Sequence, residues 1–149
     1  TSPEKSKIVN LKRHYSDFLG FKLKVREKGK SKDGKPKYVT EAHIQDKKLA
    51  KIKAYSKEII SKLRQTYDKG MEFKLIQMYN SYLIGVHNYY SIATHVNLDF
   101  QKIAFDVKKS LYNRLKHRIT KIGTISNSYI KKQYGAIRQI LCQSLQPYP

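Results

Sequence analysis

Apolar and polar positions alternate over a short N-terminal stretch and then change period. Lys7-Ile8-Val9-Asn10-Leu11 is short and β-branched, and reads as strand material. After a polar break at residues 12–17 come Phe18-Leu19-Gly20-Phe21, and then Phe21, Leu23 and Val25 alternate with Lys22, Lys24 and Arg26. A period of two predicts a strand with an apolar face inward and a cationic face outward. Residues 29–36 are turn chemistry around Asp33-Gly34, and residues 37–44 supply a returning strand. The unit is a β-hairpin with a basic tip.

From Asp46, a plausible N-cap, the spacing becomes helical. Leu49, Ile52, Ser56, Ile59 and Leu63 follow steps of three and four, Ile60 widens the stripe, and the helix ends near Gln65. Gly70 separates it from residues 72–94, which are apolar almost all round. Such a helix is expected to be the central one. Gly85 inside it costs about 1 kcal/mol against Ala; close approach of a neighbouring helix is one physical reason for it. Asn97 is placed to cap a third helix, with Asp99 favourable to its dipole. Phe100, Ile103, Ala104, Val107, Leu111, Leu115 and Ile119 form its stripe. Beyond Gly123 a shorter piece, 127–134, ends at Gly135. The fold expected is mainly α with a small N-terminal β part.

Charge sharpens this picture. The 149 residues carry 31 Lys+Arg against 11 Asp+Glu, a formal net charge of +20. Residues 1–50 are net +8, residues 51–100 net +3 and residues 101–149 net +9, so both ends are basic. Such an excess repels itself in a compact state and is commonly balanced by a polyanion. Lys22, Lys24, Arg26, Lys28, Lys30, Lys32, Lys35 and Lys37 line the hairpin; Lys102, Lys108, Lys109, Arg114, Lys116, Arg118 and Lys121 follow the third helix. Lysines act as point charges on phosphates, whereas base recognition favours arginine, which is scarce here. The pattern points to backbone and shape recognition of structured RNA or a hybrid duplex. Tyr89, Tyr90 and Tyr112 are either stacking platforms for bases or, for Tyr89 and Tyr90, packing between helices.

Catalytic patterns are lacking in the sequence. His14, His43, His87, His95 and His117 do not pair with Cys142 or a carboxylate at metal-ligand spacing. There is no Gly-rich dinucleotide fingerprint and no Walker loop. Asp106 is the one acidic residue beyond position 100, and Asp17, Glu27, Asp33 and Glu41 sit among lysines. Two-metal phosphoryl chemistry needs clustered carboxylates. A single cysteine excludes an internal disulfide framework and fits a reducing compartment. No apolar run reaches the length of a membrane span, and no signal-peptide pattern opens the chain. The start at Thr1-Ser2-Pro3, without Met, reads as a piece of a longer protein.

Two segments carry a family resemblance. Ser2-Pro3-Glu4-Lys5-Ser6-Lys7-Ile8, followed by Phe18-Leu19-Gly20-Phe21, resembles the last two blocks of the reverse-transcriptase palm in group II intron-encoded proteins. Asn80-Ser81-Tyr82-Leu83-Ile84-Gly85-Val86-His87-Asn88-Tyr89-Tyr90 resembles their thumb, or maturase domain X. Ile84 stands where many members of the family have Arg.

The resemblance implies a palm end with a basic β-hairpin over 1–45 and a three-helix, thumb-like bundle over 46–149. It implies a cytoplasmic (bacterial) or organellar parent that is an RNA-directed DNA polymerase and maturase. Its thumb would clamp an RNA/DNA template–primer duplex and bind group II intron RNA to assist splicing. Phe18–Phe21 would lie near the primer grip, and the chain would pack on the remaining palm and finger domains, with dimer formation possible through an exposed palm-sheet edge. The Tyr-Xaa-Asp-Asp motif is absent, so this fragment is expected not to polymerise DNA and to need no cofactor, the parent's Mg2+ belonging to the missing palm. The alternative is a non-enzymatic basic nucleic-acid-binding or structural domain with no preference for introns.

Overall fold

The computed structural model describes residues 8–115. A three-stranded antiparallel meander, β1 (Ser16–Phe18), β2 (Phe21–Lys30) and β3 (Pro36–Ile44), precedes three helices: α1 (Asp46–Gln65), α2 (Lys69–Tyr90) and α3 (Val96–Leu115). The protein is thus mainly helical with an N-terminal β part. Ile119, the expected 127–134 piece and Cys142 fall outside the described residues.

The hairpin forms where its alternation and turn residues put it. Phe21 pairs with Ile44, Leu23 with Ala42 and Val25 with Thr40, with a register shift between Glu27 and Lys30. At the tip, Ser31 donates its N–H to Lys35 O at 2.7 Å, and Gly34 takes φ +74°. The segment 8–11 is not the expected strand. Asn10 turns the chain instead: its side-chain oxygen accepts the Lys12 N–H at 3.1 Å, and its carbonyl accepts those of Arg13 and His14. The first strand is β1, joined to β2 through Leu19 and Gly20, at φ +48° and +84°. Positive φ at both central residues makes the two-residue turn that matches strand twist.

The apolar stripe of α1 is buried at Ile52, Ser56, Ile59, Ile60 and Leu63, as its spacing predicts. Burying an Ile or Leu side chain contributes about 1.5–3 kcal/mol. Asp46 lies in the first turn, with Gln45 at the cap position making no side-chain cap bond. The break after α1 is Thr66 to Asp68, not Gly70, which lies within α2. Asp68 caps α2 by accepting the Met71 N–H at 2.9 Å.

The central helix is α1 rather than α2: it packs against both α2 and α3. The pairings of α1 and α3 advance together, Lys53 with Asp106 and then Lys57 with Arg114, so these helices run parallel. The apolar content of α2 divides. Leu75, Ile76, Tyr79, Leu83 and Tyr90 enter the core, whereas Met71, Phe73, Met78 and Tyr89 face solvent. A Cβ at Gly85 would meet nothing within 4 Å, so no neighbouring helix accounts for this glycine. His87, from the same helix, stacks on Phe100 with centroids 3.8 Å apart, and burial pushes its pKa down.

Sheet and helices share one core. Phe21 and Ile44, at the root of the hairpin, are buried with Ile103 and Val107 of α3 and the buried faces of α1 and α2.

Candidate nucleic-acid interface

The cations of the hairpin differ according to what lies beneath them. At the root, Lys22 Nζ donates to both Asp46 carboxylate oxygens, at 2.9 and 3.1 Å, tying β2 to the start of α1. Arg26 Nε lies 3.2 Å from Glu41 Oε1 across the strand pair, and His95 Nε2 approaches the same oxygen at 3.5 Å. Lys24 lies over the Tyr15 ring, 5.1 Å from its centroid. Lys22 and Lys24 are half-buried rather than turned fully to solvent, and the ammonium groups of both lie over the Tyr15 ring.

Beyond Arg26 the hairpin has no inner face. Every residue from Arg26 to Tyr38 is exposed, so the two strands leave the body of the protein with both faces solvated. Lys28, Lys30, Lys32, Lys35 and Lys37 lie in this tip and make no ion pair among the described residues. Asp33 is the one carboxylate of the turn. The tip is therefore a projecting row of ammonium groups.

A buried carboxylate fixes the root. Asp99, in the first turn of α3, accepts the Ile44 N–H at 2.8 Å, lies 3.1 Å from His43 Nδ1, and has Lys102 Nζ at 3.4 Å. Its side chain is 3% exposed. The His43 and His95 rings stack 5.0 Å apart, and Thr94 Oγ1 accepts the Ala42 N–H at 2.7 Å. β3 is thus held along its last three residues by the segment that starts α3. Among the described residues no three His, Cys, Asp or Glu side chains gather as a metal site.

The β1–β2 turn is held from α2. Tyr89 Oη donates to Leu19 O at 2.8 Å, and Phe21 stacks on Tyr89 and meets Tyr90 edge-on. A Cβ on Gly20 would lie 3.2 Å from Tyr90 Oη, which adds a steric reason for glycine there. Burial, with Tyr89 beside it, raises the Tyr90 hydroxyl above its ordinary pKa, so it stays neutral. Of the two tyrosines, Tyr90 is core and Tyr89 remains half open, with Phe18 and Leu19 exposed beside it.

On α3 the expected basic row is present but mixed. Lys108 and Lys109 are exposed and make no ion pair among the described residues; Arg114 donates to Lys57 O at 3.4 Å. Asp106 is taken up by Lys53 Nζ at 2.6 Å, a hydrogen bond that holds its carboxyl below the usual range. Lys116, Arg118 and Lys121 lie outside the described residues. The residues that sequence reasoning missed are Asp99 as a clamp, and Leu98 and Phe105, which stand exposed with Tyr112 on the outer face of α3. Seven-residue spacing opposite the Ile103–Val107 stripe was their signal.

Neither family models nor curated proteins nor solved structures match this chain.

No helix of the described residues is long and apolar enough to cross a membrane. What the geometry offers is a projecting cationic hairpin, a mixed cationic and aromatic face on α3, and an aromatic turn braced by α2.

Proposed function

We propose that the chain is the RNA-binding thumb, or maturase, fragment of a group II intron reverse transcriptase. It binds intron RNA to assist splicing and clamps the template–primer duplex during reverse transcription. The observation that carries the nucleic-acid part is the hairpin tip: five lysines, without an ion pair among the described residues, on a two-stranded arm with no packing role. Neutralising phosphates releases counterions, so such an arm contributes affinity without base recognition.

The intron part rests on the resemblance and on one spatial fact. Two of the stretches that carry the resemblance, Phe18–Phe21 and the end of Asn80–Tyr90, lie far apart in sequence and pack on each other through Phe21, Tyr89 and Tyr90. Phosphoryl-transfer chemistry is assigned to segments of the parent protein other than this one. The described residues serve as a rigid holder, with Asp99 fixing the arm and the Tyr-rich end of α2 fixing the β1–β2 turn.

The test is affinity across a salt series for a structured group II intron RNA and an unrelated structured RNA of equal length. Tighter intron binding that survives high salt, with a steep slope, is the expected result. Equal affinities would favour a basic domain with no preference for introns; no binding by either RNA would reject the reading.

A further inference from the structure

The outer face of α3 is built unlike its inner one. Leu98, Phe105 and Tyr112 recur every seven residues and are 50%, 75% and 59% exposed. Seven helical residues place each about 10 Å from the next along the axis, on one side of the helix. Between them on the same face stand Gln101, Lys102, Lys108 and Lys109, all exposed. A shallow groove of about 470 Å³, lined by Lys53, Leu98, Gln101, Lys102, Phe105 and Asp106, runs beside Phe105. The one carboxylate on its rim, Asp106, is already engaged by Lys53 at 2.6 Å. The face thus sets Leu98 and two aromatic rings among cations: Lys108 and Lys109 make no ion pair among the described residues, and Lys102 lies 3.4 Å from Asp99.

Two kinds of occupant meet such a face differently. A partner helix needs two apolar positions in each heptad to form a continuous seam. Here only one in seven is apolar, and the intervening positions are Gln101, Lys102, Lys108 and Lys109, so a helical seam would be broken at every turn. Unpaired nucleotides need what is present: aromatic faces for bases and ammonium groups for the phosphates between them. A paired duplex presents no free base faces, so it cannot use the rings.

We propose that this face of α3 holds an unpaired stretch of RNA, with bases stacked on Phe105 and Tyr112 and phosphates on Lys102, Lys108 and Lys109. The inference rests on the nucleic-acid reading above and adds to it the class of segment bound. The hairpin arm supplies charge to any phosphate backbone, whereas α3 selects strands whose bases are open.

The probes are a labelled oligouridylate of about a dozen nucleotides, within single-strand site sizes, an abasic strand of equal charge, and a blunt RNA duplex. The Phe105→Ala/Tyr112→Ala protein is expected to bind the oligouridylate about tenfold or more weakly. Its salt slope and its duplex affinity should be unchanged, because no charge is removed. The protein has no Trp, so Phe105→Trp gives a unique reporter, quenched by oligouridylate and not by the abasic strand.

Unchanged oligouridylate affinity in the double variant, with duplex binding retained, overturns this proposal and leaves the broader reading standing. A smaller oligomer or a marked fall in melting temperature on Phe105→Ala would also overturn it, by showing a protein surface there. Failure of the wild-type chain to bind any of the three probes would instead remove the reading on which it rests.

Discussion

The root and the tip of one hairpin carry the same kind of sequence and do different work. At the root, Lys22 and Arg26 are answered by Asp46 and Glu41, and Phe21 and Ile44 sit in the core. At the tip, Lys28 to Lys37 alternate in a similar way with nothing beneath them. A lysine in a strand is therefore not by itself a binding residue. What separates the two is whether the helical body lies under the strand pair: Asp99 fixes the innermost end at His43 and Ile44, and burial gives out beyond Val25.

The largest expected effect breaks the root. Asp99→Ala removes the acceptor of the Ile44 N–H and the partner of His43, leaving a buried donor unsatisfied. Hydrogen bonds to a charged group in such a place are worth about 1.5–3 kcal/mol, so chemical denaturation should show a destabilisation of about 2–3 kcal/mol. Asp33→Ala at the tip should stay within about 0.5 kcal/mol of wild type. Equal costs at the two positions would erase the distinction.

A smaller effect of opposite sign is expected where the helical body has a tip-like position. Gly85 is exposed, and an added Cβ meets nothing within 4 Å. Gly85→Ala should raise stability by about 0.5–1 kcal/mol, read from the denaturation midpoint. If RNA affinity falls while stability rises, the glycine serves close approach by a partner outside the chain.

The smallest effect is a pH dependence confined to the body. Burial lowers the pKa of His87 in the folded state, whereas the unfolded chain keeps it near the ordinary value of about 6.5. As pH falls through that value the unfolded chain takes up the proton first, so the stability this neutral histidine allows is lost. Stability compared at about pH 7.5 and about pH 5.5 should fall less in His87→Gln than in wild type. An equal fall would place the acid sensitivity elsewhere.

The helical stripes and the returning hairpin were legible because burial imposes a period that the sequence must show. Ile52, Ile59, Ile60 and Leu63 could face only one way, and so could Ile103 and Val107. The order of helices was less legible. The rings of α2 are as apolar outside as inside, so composition alone misplaced it as the central helix. The Leu19-Gly20 turn was hidden because long-range support from Tyr89 and Tyr90, not a strong turn dipeptide, holds it. The role of Asp99 was hidden for the same reason: its partners, His43 and Ile44, lie more than fifty residues away. The tip lysines were visible as charge, but only the fold separates them from Lys22 and Arg26.

The central claim is that the tip binds phosphate and the root holds the arm. The most direct measurement compares the salt dependence of RNA affinity, and the melting temperature, of wild type with a protein in which Lys28, Lys30, Lys32, Lys35 and Lys37 are all replaced by Ala, and with Lys22→Ala. The tip variant should melt as wild type does, and its log–log salt slope should flatten by up to about 0.7–0.9 for each phosphate that is no longer neutralised. Lys22→Ala should keep the wild-type slope and be destabilised by no more than about 1 kcal/mol. Identical slopes for wild type and the tip variant would contradict the account.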